Sequence, residues 1–134
     1  MKITYNLNNI NGILENARLA LIDTAEAVKT DLIQSQTMPF GDTKHNAEGK
    51  VTHQGGTLQN DSTFVDDKKV IKGVVRIVSD TPYARKMYFH PEYRFNKKQN
   101  PNAGGRWFDT YIDGSKKNLP IRYFKKLLKR RLGE

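Results

Sequence analysis

Five cationic residues near the C-terminus, Arg122, Lys125, Lys126, Lys129 and Arg130, recur at three- and four-residue steps. On a helix that spacing gathers them on one face. Grouped cations of this kind neutralise phosphates or meet an acidic patch on another protein. The aromatic residues Tyr83, Tyr88, Tyr93 and Phe95 have the flat faces that stack on single-stranded bases, but they are not interleaved with the basic stripe. That separation argues against a direct base reader. Arg106, Trp107 and Phe108 follow two glycines. Together with Tyr83 and Tyr88 they are the candidate anchors of a protein interface, where Trp, Tyr and Arg are enriched.

Groups that could carry catalysis are sparse. There is no cysteine, so disulfides, thiolate metal sites and Cys nucleophiles are all excluded. His45 and His53 lie eight residues apart in a Gly-rich stretch, without an H-E-x-x-H pattern, and His90 stands before Pro91 among aromatics. Asp61, Asp66 and Asp67 cluster near a turn, and Asp109 and Asp113 have the four-residue spacing of one helix face. Paired acids can hold Mg²⁺ or act as an acid/base couple. These lie among many Lys and Arg residues, so turn capping is the favoured role and a metal-dependent nuclease a distant third function. The pairs Gly55-Gly56 and Gly104-Gly105 belong to no P-loop or dinucleotide motif and read as flexible backbone. No catalytic residue, metal or cofactor is expected.

The elements that position these residues follow from periodicity. Ile10, Ile13, Leu14, Ala17, Ala20, Leu21, Ala25, Val28 and Leu32 form a helical stripe over about 9–35, with Asn8 or Asn9 as cap and Pro39 forbidding continuation. Leu19, Ile22 and Ile33 fall on its polar side as isolated surface residues or a second contact strip. Residues 37–56 and 92–106 read as long loops. Residues 57–65 suggest a short strand. Asp66-Asp67-Lys68-Lys69 suggests a turn, and Val70–Val78 is the clearest strand, pairing back as a hairpin. Thr81 and Pro82 open one or two helical turns up to Phe89. Trp107, Phe108, Tyr111 and Ile112 have helix-like spacing, and a basic amphipathic helix spans about 118–132 with Asn118 as cap.

With 134 residues, the chain is expected to form a single domain, 1–134, of α+β class: a long N-terminal helix on a small antiparallel sheet, with the basic helix at the C-terminal end. A hydrophobic content of 37% and a mean hydropathy of −0.72 predict a modest core and substantial loops. No stretch resembles a membrane span or a secretory signal. The net charge of +9 comes mostly from residues 116–134, where eight Lys and Arg residues face Glu134 alone. This asymmetry points to a polyanion or an acidic partner.

The run Thr81-Pro82-Tyr83-Ala84-Arg85-Lys86-Met87-Tyr88-Phe89-His90-Pro91-Glu92-Tyr93-Arg94-Phe95, followed by Asn100-Pro101-Asn102-Ala103-Gly104-Gly105-Arg106-Trp107-Phe108, resembles the minor capsid, or neck/tail-completion, proteins of long-tailed phages and prophages of Gram-positive bacteria. The resemblance extends to a long helix ending before Pro39, to Gly56-Thr57-Leu58-x-x-Asp61 ahead of a strand, and to Ser79-Asp80 after the valine-rich segment. The chain departs from the pattern in residues 40–55, inserted between the proline and the Gly-x-Leu element, and in Met87, Phe89, His90 and Pro91 after Tyr-Ala. The resemblance implies a non-enzymatic virion component at the head–tail junction, assembled in the bacterial host cytoplasm. Its implied partners are copies of itself in a ring and neighbouring connector and tail proteins. Duplex DNA passing through the channel is a further expected partner, a membrane is not, and the alternative is a nucleic-acid-binding module built on the basic helix.

Overall fold

The computed structural model describes the backbone of residues 7–133 and the side chains from Gly12 onward, except that of residue 53. It is α+β, as expected. Helix α1 (Leu7–Gln34) is followed by β1 (Lys44–His45), β2 (Val51–His53), α2 (Thr57–Asn60), β3 (Thr63–Asp66), β4 (Arg76–Ser79), α3 (Ala84–Tyr88), α4 (Asp109–Ile112) and α5 (Leu119–Arg131). The strands form two separate antiparallel pairs, β1–β2 and β3–β4, instead of one sheet.

The apolar stripe of α1 splits along its length. Ala20, Thr24, Val28 and Leu32, each four residues after the last, are buried toward β3, β4 and the core. Buried Thr24 donates its hydroxyl to the Ala20 carbonyl at 2.7 Å, the usual way a mid-helix Thr is satisfied. Ile13 and Leu14, on the same stripe, are exposed, and the Ile10 side chain lies outside the described residues. Leu19, Ile22 and Ile33 are half-buried rather than isolated on the surface. The helix begins at Leu7, so Asn8 and Asn9 lie inside it instead of capping it. At the other end Gln36 turns the chain with φ 57°, and Met38 and Pro39 fold back as buried residues.

The core sits at this C-terminal end of α1. Leu32, Met38, Leu58, Ala84 and Trp107 make up the cluster, with Met87, Tyr88, Phe108 and Tyr111 packed on it. Helix α5 lies along α1 with Phe124, Leu127 and Leu128 half-buried. The Arg131 guanidinium locks it there through Asp23 at 2.6 Å. Asp31 ties α1 to the segment leading into α5. It accepts the Tyr111 hydroxyl at 2.6 Å and the Lys116 ammonium at 2.8 Å. Partial burial pushes the Asp31 carboxyl up, but those two hydrogen bonds outweigh it and hold its pKa below the ordinary value. Burial and the bond to Asp31 push the Tyr111 hydroxyl well above its ordinary range.

Several expected elements take other forms. Residues 57–60 are helical, not extended. Gly56 enters at φ 78°, and the Thr63 hydroxyl holds the Leu58 carbonyl at 2.7 Å, which turns the chain before β3 starts. The expected strand 70–78 is reduced to Arg76–Ser79. Its first half is a 3-10 turn, Val70–Lys72, closed by Gly73 in the left-handed region at φ 76°. Lys68 N–H donates to Asp66 Oδ1 at 3.1 Å, so the acidic turn runs on into the valines. Ile71 therefore points outward, 75% exposed, while Val75 and Ile77 are half-buried. The hairpin itself forms, with Phe64 opposite Val78 and Val65 opposite Ile77. Residues 37–56 are not a bare loop but carry the exposed β1–β2 hairpin. Helix α3 starts at Ala84, two residues after Pro82, and Thr81 accepts the Ala84 N–H through its carbonyl instead of capping with its hydroxyl. Helices α4 and α5 fall where the spacing predicts, and Asn118 stands at the start of α5, but its side chain makes no capping hydrogen bond.

The depressed Asp31 pKa has a pH consequence. The unfolded chain binds this proton more readily than the folded one, so the stabilisation is full above the ordinary value of 3.8 and is lost as pH falls through the lower folded value. Asp31→Asn is expected to cost about 1–2 kcal/mol at neutral pH, after allowing for partial exposure of the pair. Urea unfolding of both chains should show this gap closing at pH below 3.8. A gap that persists undiminished in acid would refute the ionic role.

Candidate interaction surfaces

Residues 100–108 thread between the ends of three elements. The Asn100 amide, buried at 4% exposure, donates one N–H to the Met38 carbonyl and the other to Gln59 Oε1, each at 2.8 Å. Asn102 Nδ2 donates to the Ser35 carbonyl at 3.0 Å, and Gly104 N–H to the Thr37 carbonyl at 3.1 Å. Carbonyls just past the end of α1, which have no helical partner, are satisfied this way. Gly105 passes so close to α3 that a Cβ there would stand 2.9 Å from the Met87 carbonyl oxygen. Arg106 then turns at φ 53° and donates its N–H to the Tyr88 carbonyl. Gly55 and Gly105 are therefore close-approach positions, not the flexible backbone expected. A Cβ on Gly55 would stand 2.0 Å from the Gly41 oxygen.

The five residues expected at an interface separate into two groups. Trp107 is 3% exposed and belongs to the core, which removes it from the surface. Its indole N–H donates to Ser79 Oγ at 3.2 Å, and its ring meets Tyr88 edge-on with centroids 4.9 Å apart. Tyr88 and Phe108 are half-buried beside it. The Tyr88 hydroxyl donates to Asp109 Oδ1, and burial together with that carboxylate pushes its pKa well above the ordinary range. Arg106 and Tyr83 remain on the surface. The Arg106 and Arg85 guanidinium groups lie over the exposed Phe89 ring, 5.5 Å and 5.9 Å from its centroid, and Asp109 Oδ2 is 3.5 Å from Arg106 Nη1. Arg85 and Phe89 escaped the sequence reasoning. Their four-residue spacing on a short helix was the signal. Tyr83 lines a cleft of ≈ 340 Å³ with Phe40, Leu58, Met87, Arg94 and Phe95.

The groups with catalytic potential stay apart or serve structure. His45 is exposed on β1. The His90 ring stacks on Tyr93 at 4.7 Å, and its Nδ1 lies 2.7 Å from Glu92 Oε1, which holds the Glu92 carboxyl below its ordinary pKa. Asp66 caps its own turn, Asp109 is engaged by Tyr88 and Arg106, and Asp113 is exposed. Among the described residues no three His, Asp or Glu side chains converge on a point where a metal could sit. Among them, too, no helix is long and apolar enough to cross a membrane.

The outward face of α5 is uniformly cationic. Arg122, Lys125, Lys126, Lys129 and Arg130 are all exposed. Arg131, at the apolar edge, is turned back onto Asp23. Among the described residues, none of the five outward cations meets a carboxylate. The chain matches no known protein-family model, no curated protein and no solved structure.

Asn100→Ala is expected to lower stability by about 2–4 kcal/mol, because the Met38 carbonyl and Gln59 amide oxygen would both be left buried without a donor. Trp107→Ala should cost about 3–5 kcal/mol through the cavity left in the core. Thermal and urea unfolding check both. A loss under about 0.5 kcal/mol for either would contradict the place given to that residue.

Proposed function

We propose that this chain is a structural subunit of a tailed bacteriophage particle, acting at the head–tail junction as one of a ring of identical copies and without enzymatic activity. The observation that carries this reading is the behaviour of the two segments that resemble the neck and tail-completion proteins. Residues 81–95 and 100–108 fold as one unit, in which Trp107 packs on Tyr88 and Arg106 hydrogen-bonds back to α3. The residues that carry the resemblance therefore pack on one another, which supports reading them as one motif.

The surface supports the same reading. Ile13, Leu14, Ile71, Val74, Ile112 and Ile121 are exposed. A cleft of ≈ 380 Å³ runs between α1 and β4, lined by Leu21, Ala25, Val28, Val75, Ile77 and Ile112. In this reading these apolar side chains and the cleft are where neighbouring subunits make contact. The exposed β1–β2 hairpin and Arg106 with Phe89 add further projections for neighbouring connector and tail subunits. In this reading the chain resides in the virion and is assembled in the host cytoplasm.

The test is electron microscopy of lysates from a phage or prophage in which this gene is disrupted. DNA-filled heads without tails, or unfinished tails, are expected, and which of these accumulates identifies the side of the junction that the subunit completes. Normal infectious virions would overturn the proposal.

A further inference from the structure

We infer that the outward face of α5 is a contact for the sugar–phosphate backbone of duplex DNA, independent of base sequence. Five cations, Arg122, Lys125, Lys126, Lys129 and Arg130, stand on that face, all exposed. From the first to the last they span about 12 Å of helix axis. Over that length a duplex presents about seven phosphates, one per 1.7 Å or so. The stripe is held rigidly, because the apolar side of α5 is docked on α1 and Arg131 is pinned to Asp23 at 2.6 Å.

The composition of the face separates a duplex from an acidic protein. Protein interfaces are depleted in lysine and depend on a desolvated aromatic or aliphatic anchor. The centre of this face holds Lys125, Lys126 and Lys129 with no apolar residue among them. It also holds no Asn, Gln, Ser or Thr, and the amide side chains that pair with adenine edges are therefore missing. What remains is phosphate neutralisation, which positions a chain on nucleic acid without reading its sequence. In a junction subunit, such a face suits a duplex that must slide past without being held at one site. The contact itself rests on α5 alone and stands or falls separately from the junction proposal.

The test is fluorescence anisotropy of the full chain with labelled duplexes of about 30 base pairs, one AT-rich and one GC-rich, over a salt series. With five phosphates neutralised, the slope of log affinity against log salt should be about −4.5, a loss of about 500-fold between about 50 and about 200 mM salt. The two duplexes should bind within about threefold of each other, since only backbone is touched. The triple variant K125Q/K126Q/K129Q should bring the slope to about −2. All three side chains are exposed, so circular dichroism should show the fold retained, and R122Q/R130Q serves as the second variant should the triple one unfold. No duplex binding at low salt, a slope unchanged in both variants, or binding to polyglutamate in place of the duplex would overturn the inference. A strong preference for one duplex would overturn its sequence independence. Duplex binding by a chain whose disruption leaves virions intact would remove the junction role and keep this one.

Discussion

Everything in this fold depends on what becomes of the chain where α1 ends. Beyond the last residue of this 28-residue helix the chain folds back, and the carbonyls of Ser35 and Met38 in the returning stretch need donors from elsewhere, beside a core that still has to be closed. The solution is a segment more than sixty residues further on. Asn100 and Asn102 supply amide donors to the Met38 and Ser35 carbonyls, and the same segment delivers Trp107 as the largest member of the core. Polar satisfaction and apolar closure are thus met by one stretch of chain. This is why its asparagines, its close-packed Gly105 and its tryptophan stand so near each other in sequence.

Electrostatics divides α5 along its length in a complementary way. The acids of α1 that face α5 and its approach are each taken by a cation at the edge of the basic segment, Asp23 by Arg131 and Asp31 by Lys116. Both bridges are partly exposed, and their direct contribution to stability is modest. Their larger effect is to fix the rotation of α5. With Arg131 turned inward, the remaining cations have to face away from the body. The burial of Phe124, Leu127 and Leu128 imposes the same rotation, and the two constraints agree.

Sequence pattern made the long helices legible because each carries a stripe more than ten residues long, and that periodicity survives local exceptions. It also located α3, α4 and the β3–β4 hairpin. It failed where short-range hydrogen bonds overrode propensity. Val70, Ile71, Val74 and Val75 have strong strand preference, yet the Asp66 side chain and Gly73 extend the turn through them, and Ile71 ends exposed. Thr57 and Leu58 alternate like a strand, but the Thr63 hydroxyl curls them into a helical turn. The glycine pairs were misleading for a related reason. Glycine accommodates close approach as readily as flexibility, and only the contact with Gly41 or Met87 tells which applies. Of the candidate site, the basic stripe was legible in full, because exposure of one face follows from burial of the other. The aromatic set was legible only in part: the features that recommend Trp107 as an interface anchor, its size and its single N–H, equally suit it to a core with a serine hydroxyl waiting.

That ambiguity bears on how a surface should be sought in a chain this small. A single tryptophan among 134 residues is needed inside, and it is withdrawn from the interface by the demand for closure. Exposed apolar residues then become the more informative signal. Ile71 and Ile112, 75% and 70% exposed, contribute almost nothing to the isolated fold. Ile71 lies in the 3-10 turn closed by Gly73, and Ile112 is the last residue of α4. Residues presented this way cost the monomer solubility and return no packing within it. The balance becomes favourable only if another surface covers them, so they are the first places to look for the contacts that the proposed assembly requires.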